Sequence, residues 1–141
     1  MSEKKGSIAI DTGALIEYLE DSALGRKFQE HVLENEDVQK FYISPLVITE
    51  LEYIYCRKIG FKLAKERVLG FLKDFNISEE SQLRDEAAKL KCQFAISIAD
   101  CYSIALAILN NIPIYMKHEV EIDPVLKQQK PPAQIIFIDD L

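Results

Sequence analysis

The stretch "KFYISPLVITELEYIYCRKIG", residues 40–60, changes its period partway along. Residues 40–43 are rich in β-forming side chains and read as a short strand. Ser44 can accept from a free amide at a helix start, Pro45 suits the first helical position, and Gly60 can close the far end. One strand followed at once by one capped helix is the unit from which open α/β sheets are built.

The same alternation runs outward in both directions. "SIAI" (7–10) reads as a first strand and ends in Asp-Thr-Gly; from Thr12 the apolar positions Ala14, Leu15, Tyr18 and Leu19 keep helical spacing. A second helix is expected within 23–34, others over 62–74 and 79–91, and a brief strand at 75–77. Ser97 caps a helix that runs to about Asn110. "IPIYM" (112–116) and "QIIFI" (134–138) complete the set as buried strands, joined by a Pro-interrupted connection at 124–132. The expected fold is α/β, with three layers (α/β/α) and a small, mostly parallel sheet of about five strands. Residues 1–141 show no repeat, linker or low-complexity segment and are read as a single domain.

Composition narrows the setting. The chain has 141 residues, 48% hydrophobic and 28% charged, as expected of a globular protein with a real core. No apolar run reaches the roughly 18 residues of a membrane span, and "MSEKKGSIAI" lacks the apolar stretch of a signal peptide. Cys56, Cys92 and Cys101 have no CxxC spacing and read as free thiols of a cytoplasmic protein. They form no zinc pattern with His31 and His118. The net charge of −6 argues against a broad nucleic-acid-binding surface but leaves room for a local basic patch.

Functional crevices of open parallel sheets lie at the carboxyl ends of the strands. Three acids fall there. Asp11 directly follows the first strand. Glu50 sits in the helix after the second, with Leu46, Val47, Tyr53 and Ile54 as its helical neighbours. Asp100 lies in the first turn of "ISIADCYSIALAIL", between Ile96 and Ile104. Each has a plainer explanation: a turn residue for Asp11, a side chain reaching solvent for Glu50, and a capping-box partner of Ser97 for Asp100. Gathered at one end of a sheet, the three would repel one another without a counter-charge. Mg²⁺ or Mn²⁺ takes oxygen ligands and keeps several waters, so a few carboxylates suffice. Such an ion activates a water and offsets charge developing on a phosphate.

"IAIDTGALIEYLE", "ISPLVITELEYIY" and "ISIADCYSIALAILNNIPIYM" resemble, in order and approximate spacing, the three landmarks of PIN-domain proteins. Among these the chain is most similar to VapC-type toxins of bacterial and archaeal toxin–antitoxin pairs. The resemblance implies an endoribonuclease dependent on Mg²⁺ (or Mn²⁺), with Asp11, Glu50 and Asp100 as catalytic, metal-binding acids. A metal-bound water would hydrolyse the RNA phosphodiester. Thr12 matches a small hydroxyl residue that orients a carboxylate or water. The family often has a fourth acid after its fourth strand, where this chain reads "YMKHEVEID"; Glu119 or Glu121 could supply it, and His118 stands near the family's Asp position. The implied partners are single-stranded or structured RNA, a small antitoxin and a second copy of the chain, with no membrane.

For RNA contact the sequence offers Lys117, beside the acids, and Arg57 and Lys58 in the basic run "CRKIGFKLAKER" (56–67). Tyr53, Tyr55 and Phe61 could stack on bases. The alternative to the nuclease is a protein-binding module whose catalytic site has decayed, supported by the altered fourth-acid segment. A phospho-receiver would need an acceptor Asp after the third strand, and "FNISEE" provides none.

Overall fold

The computed structural model describes residues 6–141; the charged start read above, residues 1–5, lies outside them. Five strands form one sheet: β1 (Ser7–Ile10), β2 (Lys40–Ile43), β3 (Asn76–Ile77), β4 (Ile114–Met116) and β5 (Ile135–Phe137). Their order is β3-β2-β1-β4-β5, and every pairing is parallel. The chain builds outward from β1 to β3, then crosses to the other side of β1 for β4 and β5. The end of β1 is therefore the place where the winding reverses.

Side-chain alternation along β1 sorts the core into two layers. Ile8 and Ile10 point into one cluster with Ala14, Leu15, Val47, Leu51, Val68 and Leu72. Ala9 points into the other with Leu83, Ala87, Ile104, Leu106, Ile114 and Met116. The first layer contains α1 (Thr12–Leu19), α2 (Ala23–Phe28), α3 (Pro45–Ile59) and α4 (Phe61–Leu72); the second contains α5 (Glu80–Gln93) and α6 (Ile98–Asn110). Covered on both faces, β1 is buried along its whole length.

Differences from the sequence reading have local causes. The strand expected at 112–116 begins only at Ile114. Asn111 ends α6 in the left-handed conformation (φ 51°), and the Ile112 amide donates back to Ala107. The connection at 124–132 is not wholly irregular: a 3-10 turn (Val120–Ile122) leads into α7 (Asp123–Leu126), where Pro124 sits in the first turn and no amide donor is needed. The helix within 23–34 is α2 continued by a wide π-helical turn over Gln29–Leu33. Helices expected at 62–74 and 79–91 occupy Phe61–Leu72 and Glu80–Gln93.

Candidate active site

Asp11 is the best-anchored acid. It leaves β1 with its own amide donating to the Tyr115 carbonyl of β4 (3.1 Å), and its carboxylate caps α1 by accepting from the Ala14 amide (2.9 Å). Only 4% of it is exposed. Burial pushes its carboxyl well above the ordinary Asp range, and the charges of Asp100 and Glu119 push the same way, against the amides of Ala14 and Lys117. The turn residue expected after the first strand is thus also the cap of α1.

Glu50 lies half-buried on α3, and the buried Thr12 hydroxyl donates to its Oε1. This bond ties α3 to the start of α1 and selects one direction for the carboxylate. The neighbours that sequence spacing put around Glu50 divide: Val47 faces the core, whereas Tyr53 is 46% exposed.

Asp100 is half-buried in the first turn of α6. Its backbone amide donates to Ser97 Oγ (3.1 Å), which is the helix cap. Its carboxyl is raised to about 6 by burial and by Glu119, Glu50 and Glu121, with Ser97 acting in the opposite direction. Glu119 is also raised, by burial and then by Glu121 and Glu50, while Lys117 lowers it. Electrostatically, then, Asp11, Glu50, Asp100 and Glu119 form one neighbourhood. Glu121 stands at its rim, influencing Asp100 and Glu119.

Among the described residues, no ion pair involves these five acids. Nor do three of their side chains stand close enough to ligate one ion as they are posed. Donor chemistry nevertheless fits a hard divalent cation. The donors are all oxygen, two carboxyls are held high by burial and by neighbouring carboxylates, and among the described residues neither pairs with a lysine or arginine. Asp11, Glu50, Asp100 and Glu119 are the residues that would hold it, after side-chain movement to close the set.

The other sequence candidates are placed less centrally. Lys117 follows β4, and Gly13 leaves room for it: a Cβ at Gly13 would lie 3.1 Å from Lys117 Cβ. Its ammonium, however, sits 3.6 Å from Glu17 Oε1 on α1. Lys58 pairs with Glu20 (2.9 Å), and Arg57 lies over the Tyr53 ring, both in the last turn of α3. His118 faces away from the acid cluster. Its ring contacts Asp123 (2.9 Å) and the edge of Phe137, and its amide donates to Asp139 Oδ1 (2.8 Å). Asp139 was not singled out in the sequence, although it stands just past β5, where the rule that found Asp11 also applies. Glu17, which holds Lys117, left no signal because its partner is distant in sequence.

A PIN domain family model matches residues 8–115. The fold is similar to a toxin–antitoxin complex from Klebsiella pneumoniae (TM-score 0.68, 16% identity, covering 93% of this chain and 97% of that one). It is also similar to VapBC-1 from nontypeable Haemophilus influenzae (0.70, 16%, 94% and 98%) and to a DNA-bound VapBC from Salmonella typhimurium (0.67, 14%, 94% and 98%). At these identities the likeness is one of fold. No curated protein matches the sequence.

Proposed function

Because the chain belongs to the PIN domain family, we propose that it is a VapC-type endoribonuclease whose acidic site works with Mg²⁺ or Mn²⁺. The observation that carries this reading is the gathering of acids past the end of β1, where burial and neighbouring carboxylates hold Asp11, Asp100 and Glu119 above their ordinary range. A hard divalent ion held there would supply positive charge against the phosphodiester and lower the pKa of a water nucleophile. The chain's own groups do the rest. Asp11 is fixed by backbone amides, Thr12 directs Glu50, and Asp100 is poised on the first turn of α6 to share a proton or an ion near neutral pH.

A small antitoxin is the proposed partner. Supporting it, a groove of about 350 Å³ lies between α1, α3 and α4, lined by Leu19, Tyr55, Ile59, Val68 and Phe71 with Lys58 and Arg67 among its walls. The Tyr55 hydroxyl there is buried and has no hydrogen-bond partner among the described residues. A partner helix with apolar and acidic side chains fits those walls. Among the described residues no helix is long and apolar enough to cross a membrane.

The second reading, a binding module without catalysis, draws on His118. Near the family's fourth-acid position stands a histidine whose ring meets Asp123 and whose backbone amide meets Asp139. Incubating the purified protein with labelled single-stranded RNA separates the two. Cleavage with Mg²⁺ that stops in EDTA supports the nuclease; intact RNA under both conditions supports the module.

A further inference from the structure

Lys117, the cation that acts on the acid group, is already engaged: its ammonium pairs with Glu17. With a net charge of −6, the chain has little to offer a phosphate backbone close to the acids. What it does expose there is apolar. Tyr53, three residues from Glu50, is 46% exposed; Ile98, two before Asp100, 50%; and Val120, beside Glu119, 75%.

Tyr53 is the one of these with a flat polar-tipped ring, and it is backed. The guanidinium of Arg57 lies over it, 5.2 Å from the ring centroid. On α3, Glu50, Tyr53 and Arg57 are spaced i, i+3 and i+7, so they share one stripe that leaves the site along the helix, about 4.5 and about 10 Å beyond Glu50. Val47 and Leu51 on the opposite flank of α3 are buried, which leaves the stripe facing outward.

Resting on the ribonuclease reading, we propose that Tyr53 and Arg57 form a base-stacking platform that receives an unpaired nucleobase of the substrate next to the bond to be cut. A base in a duplex has both faces covered and cannot use the platform; a splayed base of a single strand can. Stacking carries affinity without demanding phosphate contacts close to the acids, and Arg57 adds a cation on the stripe. The platform thus selects single-stranded RNA over duplex.

Binding of a fluorescein-labelled single-stranded oligoribonucleotide, followed by anisotropy in EDTA, tests this. Tyr53→Ala should raise Kd about tenfold, while Tyr53→Phe and Tyr53→Trp keep the ring and the affinity. An oligonucleotide made abasic at the contacted position should bind wild type as weakly as the intact one binds Tyr53→Ala, with no further loss when both changes are combined. Unchanged affinity in Tyr53→Ala overturns the platform, as does an abasic penalty undiminished in that variant. So does a wild type that fails to bind RNA, or a Tyr53→Ala whose only change is loss of a dimer in sedimentation, which would make the stripe an interface between copies. Tyr53-dependent binding without cleavage in Mg²⁺ would sink the ribonuclease reading and leave the platform standing. Cleavage with Tyr53-independent binding would do the reverse.

Discussion

The Thr12 hydroxyl donates to the Glu50 carboxylate across 38 residues of sequence, joining the first turn of α1 to the middle of α3. Thr12 is buried and Glu50 only half-buried, so the bond has one rigid end and one that water can reach. It sets the direction of an acid that has no ion-pair partner among the described residues. Thr12→Val removes the hydroxyl at nearly constant volume. The variant should stay folded, need more Mg²⁺ for half-maximal RNA cleavage, and lose about 1–2 kcal/mol of stability. An unchanged Mg²⁺ titration would show that Glu50 needs no guide.

Asp100→Asn should stabilise the metal-free protein at neutral pH. An acid whose folded pKa is raised, here from 3.8 to about 6, binds more protons folded than unfolded between those values. Stability therefore falls as pH climbs through that window, and the cost is complete above about 6. In a dry site the cost would be about 3 kcal/mol; water reaching this half-buried carboxylate reduces it to about 1–2 kcal/mol. The variant should melt about 3–7 °C higher than wild type at pH 7 in EDTA, with the difference closing near pH 4. Mg²⁺ should then raise the wild-type melting temperature more than the variant's. The Asp100 amide's bond to Ser97 Oγ is untouched by the substitution, and an asparagine side-chain oxygen can still accept from the Ser97 hydroxyl that acts on the Asp100 carboxyl. A variant that melts lower at pH 7 would contradict the account.

Glu119 and Glu121 should separate. Glu119 influences Asp11 and Asp100 and is influenced by Glu50, whereas Glu121 reaches only Asp100 and Glu119. Glu119→Gln should weaken the Mg²⁺ response of cleavage and Glu121→Gln should be nearly silent. Equal effects of the two would return the segment to an undivided charged rim.

Lys58→Ala should leave cleavage of free RNA unchanged, since that ammonium is committed to Glu20 at the far end of α3. A large rise in KM for RNA would restore Lys58 as a substrate contact.

What the sequence made legible were features written within a few residues. Ser44-Pro45 and Ser97 start α3 and α6 as read, and the end of β1 places Asp11. Asp100 looked like a choice between a capping residue and a member of an acidic group; in the fold its amide meets the Ser97 cap, and its carboxyl feels both Ser97 and the acids Glu119, Glu50 and Glu121. Features that depend on docking were not legible. The Glu17–Lys117 pair and the His118–Asp139 bond join segments that meet only once β4 lies beside β1 and β5 beside β4. Tyr53 shows the limit of helical spacing: residues three and four away from Glu50 span a wide wedge, and the edge of the core runs through it. Val47 falls inside that edge and Tyr53 outside.

The most direct test compares wild type with Glu50→Gln on one labelled single-stranded RNA, in Mg²⁺ and in EDTA, with circular dichroism to establish that both are folded. Glutamine keeps the shape and can still accept from Thr12, but carries no charge for an ion. The account predicts cleavage by wild type in Mg²⁺ alone and none by the variant under either condition. Cleavage that persists in EDTA, or a folded Glu50→Gln that cuts as fast as wild type, would contradict it.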